Sequence, residues 1–276
     1  MLAEARTSAR TAARESKEVA IPGAVSRLSP AVVGALARIE VWKLLTSPAF
    51  FAGFGLVSAF VFLATGGLFM ASDDGSNGKR AVVLVIGAGI GLIAATLLGS
   101  NACALRAHRD HLRELFGSIA SPPEARTSAV LLAVLVGPAA LAAAIAVIAY
   151  PVLRSDPNLR SSIDVALLGQ YPLTVLTLGT FGIALARWVR HPIAAPVALV
   201  LLVMSPLQWA VPWISPSSSG IRIGWHYTYL IAAIVFWSSL AFAGDRRRVR
   251  ALAVPAVALT IGIVAASFQI PPGGLI

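Results

Sequence analysis

The sequence predicts an all-α protein, a polytopic membrane helical bundle of six to seven transmembrane helices. An N-terminal interfacial helix precedes the first span, and a polar cytoplasmic helix follows the second. Hydrophobic residues make up 57% of the 276 residues and charged residues only 12%, and the mean hydropathy is +0.81. A soluble domain would carry about twice that share of charge. Long apolar runs also alternate with short polar segments, as in a chain that crosses a bilayer repeatedly.

The N-terminal residues 1–30 mix Arg with Glu and contain no apolar run long enough for a signal peptide, so we expect a cytoplasmic tail. The transmembrane domain then occupies 31–276. It begins with a helical stretch at 31–46, in which Trp42 and other apolar residues surround three charged ones: Arg38, Glu40 and Lys43. This stretch ends just before Pro48, and we expect it to lie along the inner membrane surface.

Seven apolar segments follow the interfacial stretch. A helix that crosses a bilayer needs about 20 residues, and most of the segments approach that length. They lie at 49–71, 81–102, 127–153, 165–186, 192–213, 228–243 and 251–269. The fifth contains Pro206 and Pro212 and the sixth is short, which leaves the number of spans between six and seven.

The segment at 103–126 is the long polar break between the second and third apolar segments. At helical spacing its apolar residues share one face: Leu105, Leu112, Phe116 and Ile119. Another face carries Arg106, Arg109, Asp110 and Arg113. Ser121, Pro122 and Glu124 are typical of the start of a new helix. We therefore expect a short amphipathic helix here, where a membrane body can meet a soluble partner.

The distribution of cations predicts the topology. With the N-terminus inside, seventeen of the 22 Lys and Arg residues fall in inner segments and five in outer ones. Such a bias places the N-terminus in the cytoplasm and, if all seven segments span, the C-terminus outside. The preference for Arg over Lys and the many Ala, Leu and Val residues are typical of a bacterium with a GC-rich genome, which suggests the bacterial cell membrane.

Two patterns inside the spans have alternative or structural explanations. Small residues recur every four positions in the second segment and predict close helix packing, within the chain or between copies: Gly87, Gly91, Ala95 and Gly99. In the fourth segment Gln170, Thr174 and Thr177 share a face. They are candidates to line a substrate path, although threonine hydroxyls often bond to their own helix instead.

Several functions are excluded or disfavoured by missing chemistry. No Asp, Glu, Lys or Arg lies in the middle of a span, which argues against a proton-coupled carrier, a voltage sensor or an ion pump. No P-loop occurs, and the nearest string, at 75–79, has the wrong spacing. HRDH at 108–111 lacks the spacing and third ligand of a zinc protease. The single Cys103 excludes an internal disulfide. We expect His191 and His226 to lie at membrane edges, and the net charge of +10 to serve topology rather than nucleic-acid binding.

The pattern as a whole resembles the membrane subunits of ABC transporters of the type-2 exporter kind. Three stretches carry the resemblance: RIEVWKLLTSP before the first span, HRDHLRELFGSIASPPEARTSAVLLA between the second and third, and WHYTYL at the start of the sixth. The resemblance implies that the first is a connecting helix and that the second contains a coupling helix, which docks in a groove of a separate ATPase. The implied coupling residues are Arg106, Arg109, Arg113 and Glu114.

The resemblance further implies that this chain is not itself an enzyme and has no cofactor of its own, since ATP and Mg²⁺ would bind the ATPase subunits. It would pair with a second copy or a homologous permease. A path without charge suits a lipid, an apolar compound or an amphipathic peptide. Family members commonly have six spans, so 251–269 would be additional, and 205–227 is either an outer re-entrant hairpin or a loop. The alternative function is a membrane-embedded enzyme or a non-transporting assembly partner.

Overall fold

The computed structural model describes residues 30–70, 77–109, 123–154, 165–204, 222–246 and 252–269. These residues form helices joined by turns, without a strand among them. The helices are α1 (Pro30–Leu45), α2 (Pro48–Met70), α3 (Asn77–Arg109), α4 (Pro123–Val134), α5 (Ala140–Arg154), α6 (Val165–Trp188), α7 (Ala194–Met204), α8 (Ile223–Arg246) and α9 (Ala253–Gln269). A π-helical turn, Leu135–Ala139, joins α4 to α5, so these two helices form one long element.

Four stretches of the described chain are long and apolar enough to cross a membrane on their own: Gly87–Arg106, Glu124–Pro151, Leu168–Trp188 and Ile223–Gly244. Pro30–Leu45 and Pro48–Leu63 together would make a fifth, and α7 and α9 are shorter apolar helices. The helical membrane character is therefore confirmed at this level, whereas the count of six to seven spans stays a prediction.

The two ends of the bundle can be identified by contacts between the helices that meet there. At one end, the Arg187 guanidinium donates to Thr127 Oγ1 at 3.1 Å and the Trp188 indole donates to Leu240 O at 2.9 Å. At the other, Arg222 N donates to Gln269 O at 3.0 Å. We call the first the basic end, because eight described cations belong to it: Arg38, Lys43, Arg106, Arg109, Arg126, Arg187, Arg190 and Arg246. Four belong to the opposite end: Lys79, Arg80, Arg154 and Arg222.

The interfacial stretch forms α1, but it is not perpendicular to the following helix. The axis bends by 46° between Leu45 and Pro48, less than the right angle expected for a helix in the membrane plane beside an upright span. Ser47 caps α2 through its Oγ, which accepts from Phe50 N at 3.1 Å. If α2 is upright, α1 enters the basic end of the bundle obliquely and packs beside α4.

Helix α3 is longer than the apolar segment that predicts it. Its 33 residues extend about 50 Å, whereas the apolar part covers Gly87–Arg106. The chain between Ser100 and Arg109 contains neither Gly nor Pro, and Arg, Ala and Leu are good helix formers, so the helix continues beyond the apolar layer. The first residues of the 103–126 segment are therefore the last two turns of α3 and not the start of a separate helix.

The sixth apolar segment is also longer than hydropathy indicates. Helix α8 begins at Ile223 and has 24 residues, so WHYTYL belongs to its first turns. His226 and Thr228 lower the local hydropathy without breaking the helix. The prediction of a short sixth segment was wrong for this reason.

The π turn has a clear cause in the sequence. Pro138 lacks the N–H that an α-helix would use and its ring collides with the preceding turn, and the wider π turn accommodates it. Beside it, Gly137 leaves room for α1, since a Cβ there would meet Val41 Cγ1 at 3.5 Å. The π turn therefore lies next to the last turns of α1, close to the bend before α2.

Candidate functional site

The four residues predicted to couple the chain to an ATPase lie at or beyond the end of α3. Arg106 is half-buried in the last apolar turn, close after the buried Cys103 and Leu105. Arg109 ends the helix. Arg113 and Glu114 lie outside the described residues, as does most of the 103–126 segment. The structure thus places the beginning of the predicted coupling segment at the basic end and leaves its polar face untested.

The basic end is assembled from contacts between four helices. Arg187 of α6 reaches Thr127 of α4, and its Cβ lies 3.1 Å from the position that a Cβ on Gly244 of α8 would take. Asn101 of α3 donates from Nδ2 to Gly182 O of α6 at 3.1 Å. Each contact joins a different helix pair, so the ends of α3, α4, α6 and α8 are held in a fixed arrangement there.

The predicted substrate-path residues are buried in one stripe on α6. The Thr174 hydroxyl donates to Gln170 O at 3.0 Å, and the Thr177 hydroxyl donates to Leu173 O at 2.8 Å. Both threonines therefore make the bond to their own helix that was the alternative explanation. Phe181, one turn further along the same face, packs on Trp237 of α8 with ring centroids 4.5 Å apart. The stripe is thus buried inside the described bundle, and its continuation at Phe181 contacts α8.

Gln170 differs from the two threonines. Its side chain is 7% exposed, and its Oε1 accepts no hydrogen bond from any residue that the structure describes. A buried carbonyl oxygen without a donor costs about 1–3 kcal/mol. Gln170 is thus the member of the stripe that retains hydrogen-bonding capacity.

The small-residue ridge of α3 lies against α2. A Cβ on Gly91 would overlap Ser58 Oγ and lie 3.0 Å from Phe54 O, and one on Gly99 would lie 3.2 Å from Phe50 Cβ. From the other side, a Cβ on Gly53 would lie 3.0 Å from Ala95 Cα. At Gly87 the contact is looser, at 3.6 Å from Ser58 O. The four residues face one neighbouring helix of the same chain.

Sequence reasoning missed a clasp between α8 and α9 at the opposite end. His226 Nδ1 lies 3.1 Å from Gln269 Oε1, and both side chains are fully buried. Arg222 N donates to Gln269 O at 3.0 Å, and Trp225 stacks on Phe268 with centroids 5.0 Å apart. His226 lies near the start of α8, at that end of the bundle, and its side chain is buried because α9 packs over it. No local signal reveals this pairing, since the two residues are 43 positions apart.

Three further candidates are His191, a metal site and a groove on the surface of the bundle. His191 is exposed, and its Nδ1 accepts from Ile193 N at 3.3 Å within the α6–α7 turn. No cluster of three His, Cys, Asp or Glu side chains that could hold a metal occurs in the described part of the chain. Residues 110 and 111 of HRDH lie outside that part. An open groove of about 480 Å³ lies between α8 and α9, lined by apolar side chains and Thr228. The groove does not include the stripe on α6.

When the chain is compared with family models, curated proteins and solved structures, none of them matches it.

Proposed function

We propose that this chain is the transmembrane subunit of an ABC exporter, driven by ATPase subunits on separate chains. One observation carries the proposal: α3 continues past its apolar part to Arg109 and delivers a basic, partly polar segment to the end where most described cations lie. An ATPase that docks by carboxylates or carbonyl groups would find guanidinium donors there.

Helix α1 and the π turn could transmit movement from the basic end into the bundle. α1 packs beside α4, and its residues Val41 and Leu45 lie against Gly137 in the π turn. The bend after Leu45 and the π turn are adjacent irregularities, and such points commonly absorb helix movement. A force on the basic end would then move α1 and α4 together relative to α2 and α5.

The transport path requires a second membrane body, identical to this chain or homologous to it. Within one copy, the stripe of Gln170, Thr174 and Thr177 is buried, so movement of α6 relative to its neighbouring helices would be needed to uncover it. The apolar spans around this stripe suit a lipid, an apolar compound or an amphipathic peptide. Gln170 Oε1 would accept a hydrogen bond from such a substrate.

Co-purification tests the proposal directly. The tagged chain is expressed in its own host, extracted in detergent and purified through the tag, and the eluate is assayed for an ATPase subunit. We expect the ATPase to co-elute in a stable complex and to hydrolyse ATP faster when the complex is reconstituted in lipid. A chain that purifies without any ATPase and still converts or assembles a membrane component would support the alternative of an enzyme or assembly partner.

A further inference from the structure

The turn between α6 and α7 combines cations with exposed apolar side chains. After Trp188 the chain passes through Val189, Arg190 and His191, all exposed, and Ile193 begins a new apolar surface. Trp188 is 51% and Ile193 58% exposed. Tryptophan beside arginine at the end of an apolar helix is typical of the level of lipid headgroups.

Arg190 has an unfavourable backbone conformation for its residue type. Its φ of 53° lies in the left-handed region, where glycine usually ends a helix. Its Nε donates to Arg187 O at 3.4 Å, a long hydrogen bond. The terminal guanidinium nitrogens of Arg190 have no hydrogen-bond partner among the residues described. Capping α6 therefore uses only one of the guanidinium donors of Arg190. Glycine would adopt this backbone conformation more easily.

An apolar stripe runs along α7 from this turn. Ile193, Val197, Val200, Leu201 and Met204 share one helix face, and each is substantially exposed. The stripe starts next to Arg190 and continues away from the basic end. A cation followed by an apolar strip can bind one acidic phospholipid. The cation would contact the phosphate at the turn, and the strip would contact an acyl chain along the helix.

The described part of the basic end carries more cations than carboxylates. In the described part of the basic end the carboxylates are Glu40, which pairs with Lys43 at 3.5 Å, Glu124 in the first turn of α4, and Asp245 in the last turn of α8. Arg187, at the base of the turn, adds a second guanidinium that is anchored on Thr127. We propose that the α6–α7 turn is a binding site for the headgroup of an anionic phospholipid, with Arg190 as its principal ligand.

Thermal unfolding in vesicles tests this site. The wild-type protein is reconstituted in phosphatidylcholine alone and in equal parts of phosphatidylcholine and phosphatidylglycerol, and Tm is measured in both. We expect phosphatidylglycerol to raise Tm. Arg190→Gly should match or exceed the wild-type Tm in phosphatidylcholine, because glycine relaxes the backbone, yet lose more than half of the phosphatidylglycerol gain. Arg190→Lys should retain most of it.

The matched control is Arg154→Gln, which removes one cation at the opposite end and should keep the full gain. Inorganic phosphate added to phosphatidylcholine vesicles should not reproduce the gain, since it lacks an acyl chain for α7. Three results would each overturn the site: no gain in the wild type, an undiminished gain in Arg190→Gly, or an equal loss in Arg154→Gln. Equal stabilisation by inorganic phosphate would also refute a lipid as the ligand.

Discussion

Single glycines on α3 and α6 determine how closely the central helices approach. At Gly182 a Cβ would overlap Ser100 Oγ and lie 2.6 Å from the backbone oxygen of Leu97, which cannot rotate away. At Gly89, on the same pair of helices, the nearest atom would be Tyr171 Cε2 at 3.4 Å, an ordinary contact. The repeat of small residues in the sequence predicts that a ridge exists, whereas only the structure distinguishes glycines that are required from those that are tolerated.

Gly91 is the ridge position at which a side chain should be most damaging. Ser58 could turn away from an added methyl group, but it would then lose its bond to Gly87 O, and Phe54 O would remain 3.0 Å away. We expect Gly91→Ala to destabilise the protein by about 1–3 kcal/mol and Gly91→Leu to impair folding or assembly. Tm in detergent measures the first effect, and size-exclusion chromatography measures the second.

Gly87→Ala is the control for this substitution, because its methyl group would meet Ser58 O at an acceptable 3.6 Å. It should change Tm little. If Gly91→Leu assembles normally with unchanged Tm, the ridge does not pack against α2 as described.

At the scale of elements, apolar runs located the helices well and the ends of the helices poorly. The boundaries of α2 and α6 differ by a few residues from the segments 49–71 and 165–186. α3 and α8 extend beyond their apolar segments because arginine, histidine and threonine lower hydropathy without breaking a helix. The bend before α2 was marked by Pro48, but its 46° angle depends on packing against α4, which no local pattern encodes.

The pairing of α8 with α9 provides an element-scale prediction. A stripe of mostly small residues on α9 is buried, Pro255, Ala258, Gly262, Ala265 and Gln269, and Gln269 bonds His226. Gln269→Leu removes that buried hydrogen bond and should loosen the C-terminal turns of α9. We expect hydrogen exchange there to accelerate several-fold, consistent with about 1–3 kcal/mol for an unsatisfied buried group.

Thr260→Ala serves as the control on the same helix, because the Thr260 hydroxyl is exposed and bonds only to Ala256 O of its own helix. Exchange in α9 should be unchanged in this variant. Equal exchange rates in Gln269→Leu and the wild type would show that the clasp does not hold α9.

At the scale of the whole molecule, composition and charge predicted a helical membrane protein, and the candidate site could be predicted only in part. The arginines of 103–126 could be recognised because they interrupt apolar sequence. The burial of Gln170, Thr174 and Thr177 could not be predicted, because a polar face on a span looks the same whether it meets another helix or a path. The clasp between His226 and Gln269 depends on tertiary pairing alone.

The predicted topology follows from the asymmetry of charge between the two ends. A reporter fused after Arg250 should be active in the cytoplasm, and one fused after Ile276 should be active outside it, since α9 would carry the chain across. Alkaline phosphatase and green fluorescent protein fusions at both positions give the measurement. Cytoplasmic activity of both fusions would mean that one proposed span, most plainly the fifth or the last, does not cross.

Charge reversal in the coupling segment tests the central claim most directly. Arg109→Glu with Arg113→Glu should leave insertion intact, because the other inner segments keep enough cations, and should abolish both co-purification of the ATPase and transport-coupled ATP hydrolysis. The control reverses two cations at the opposite end, Arg154→Glu with Arg222→Glu, and should retain the ATPase. If the Arg109 and Arg113 variant binds its ATPase and supports transport at the wild-type rate, the coupling assignment is contradicted.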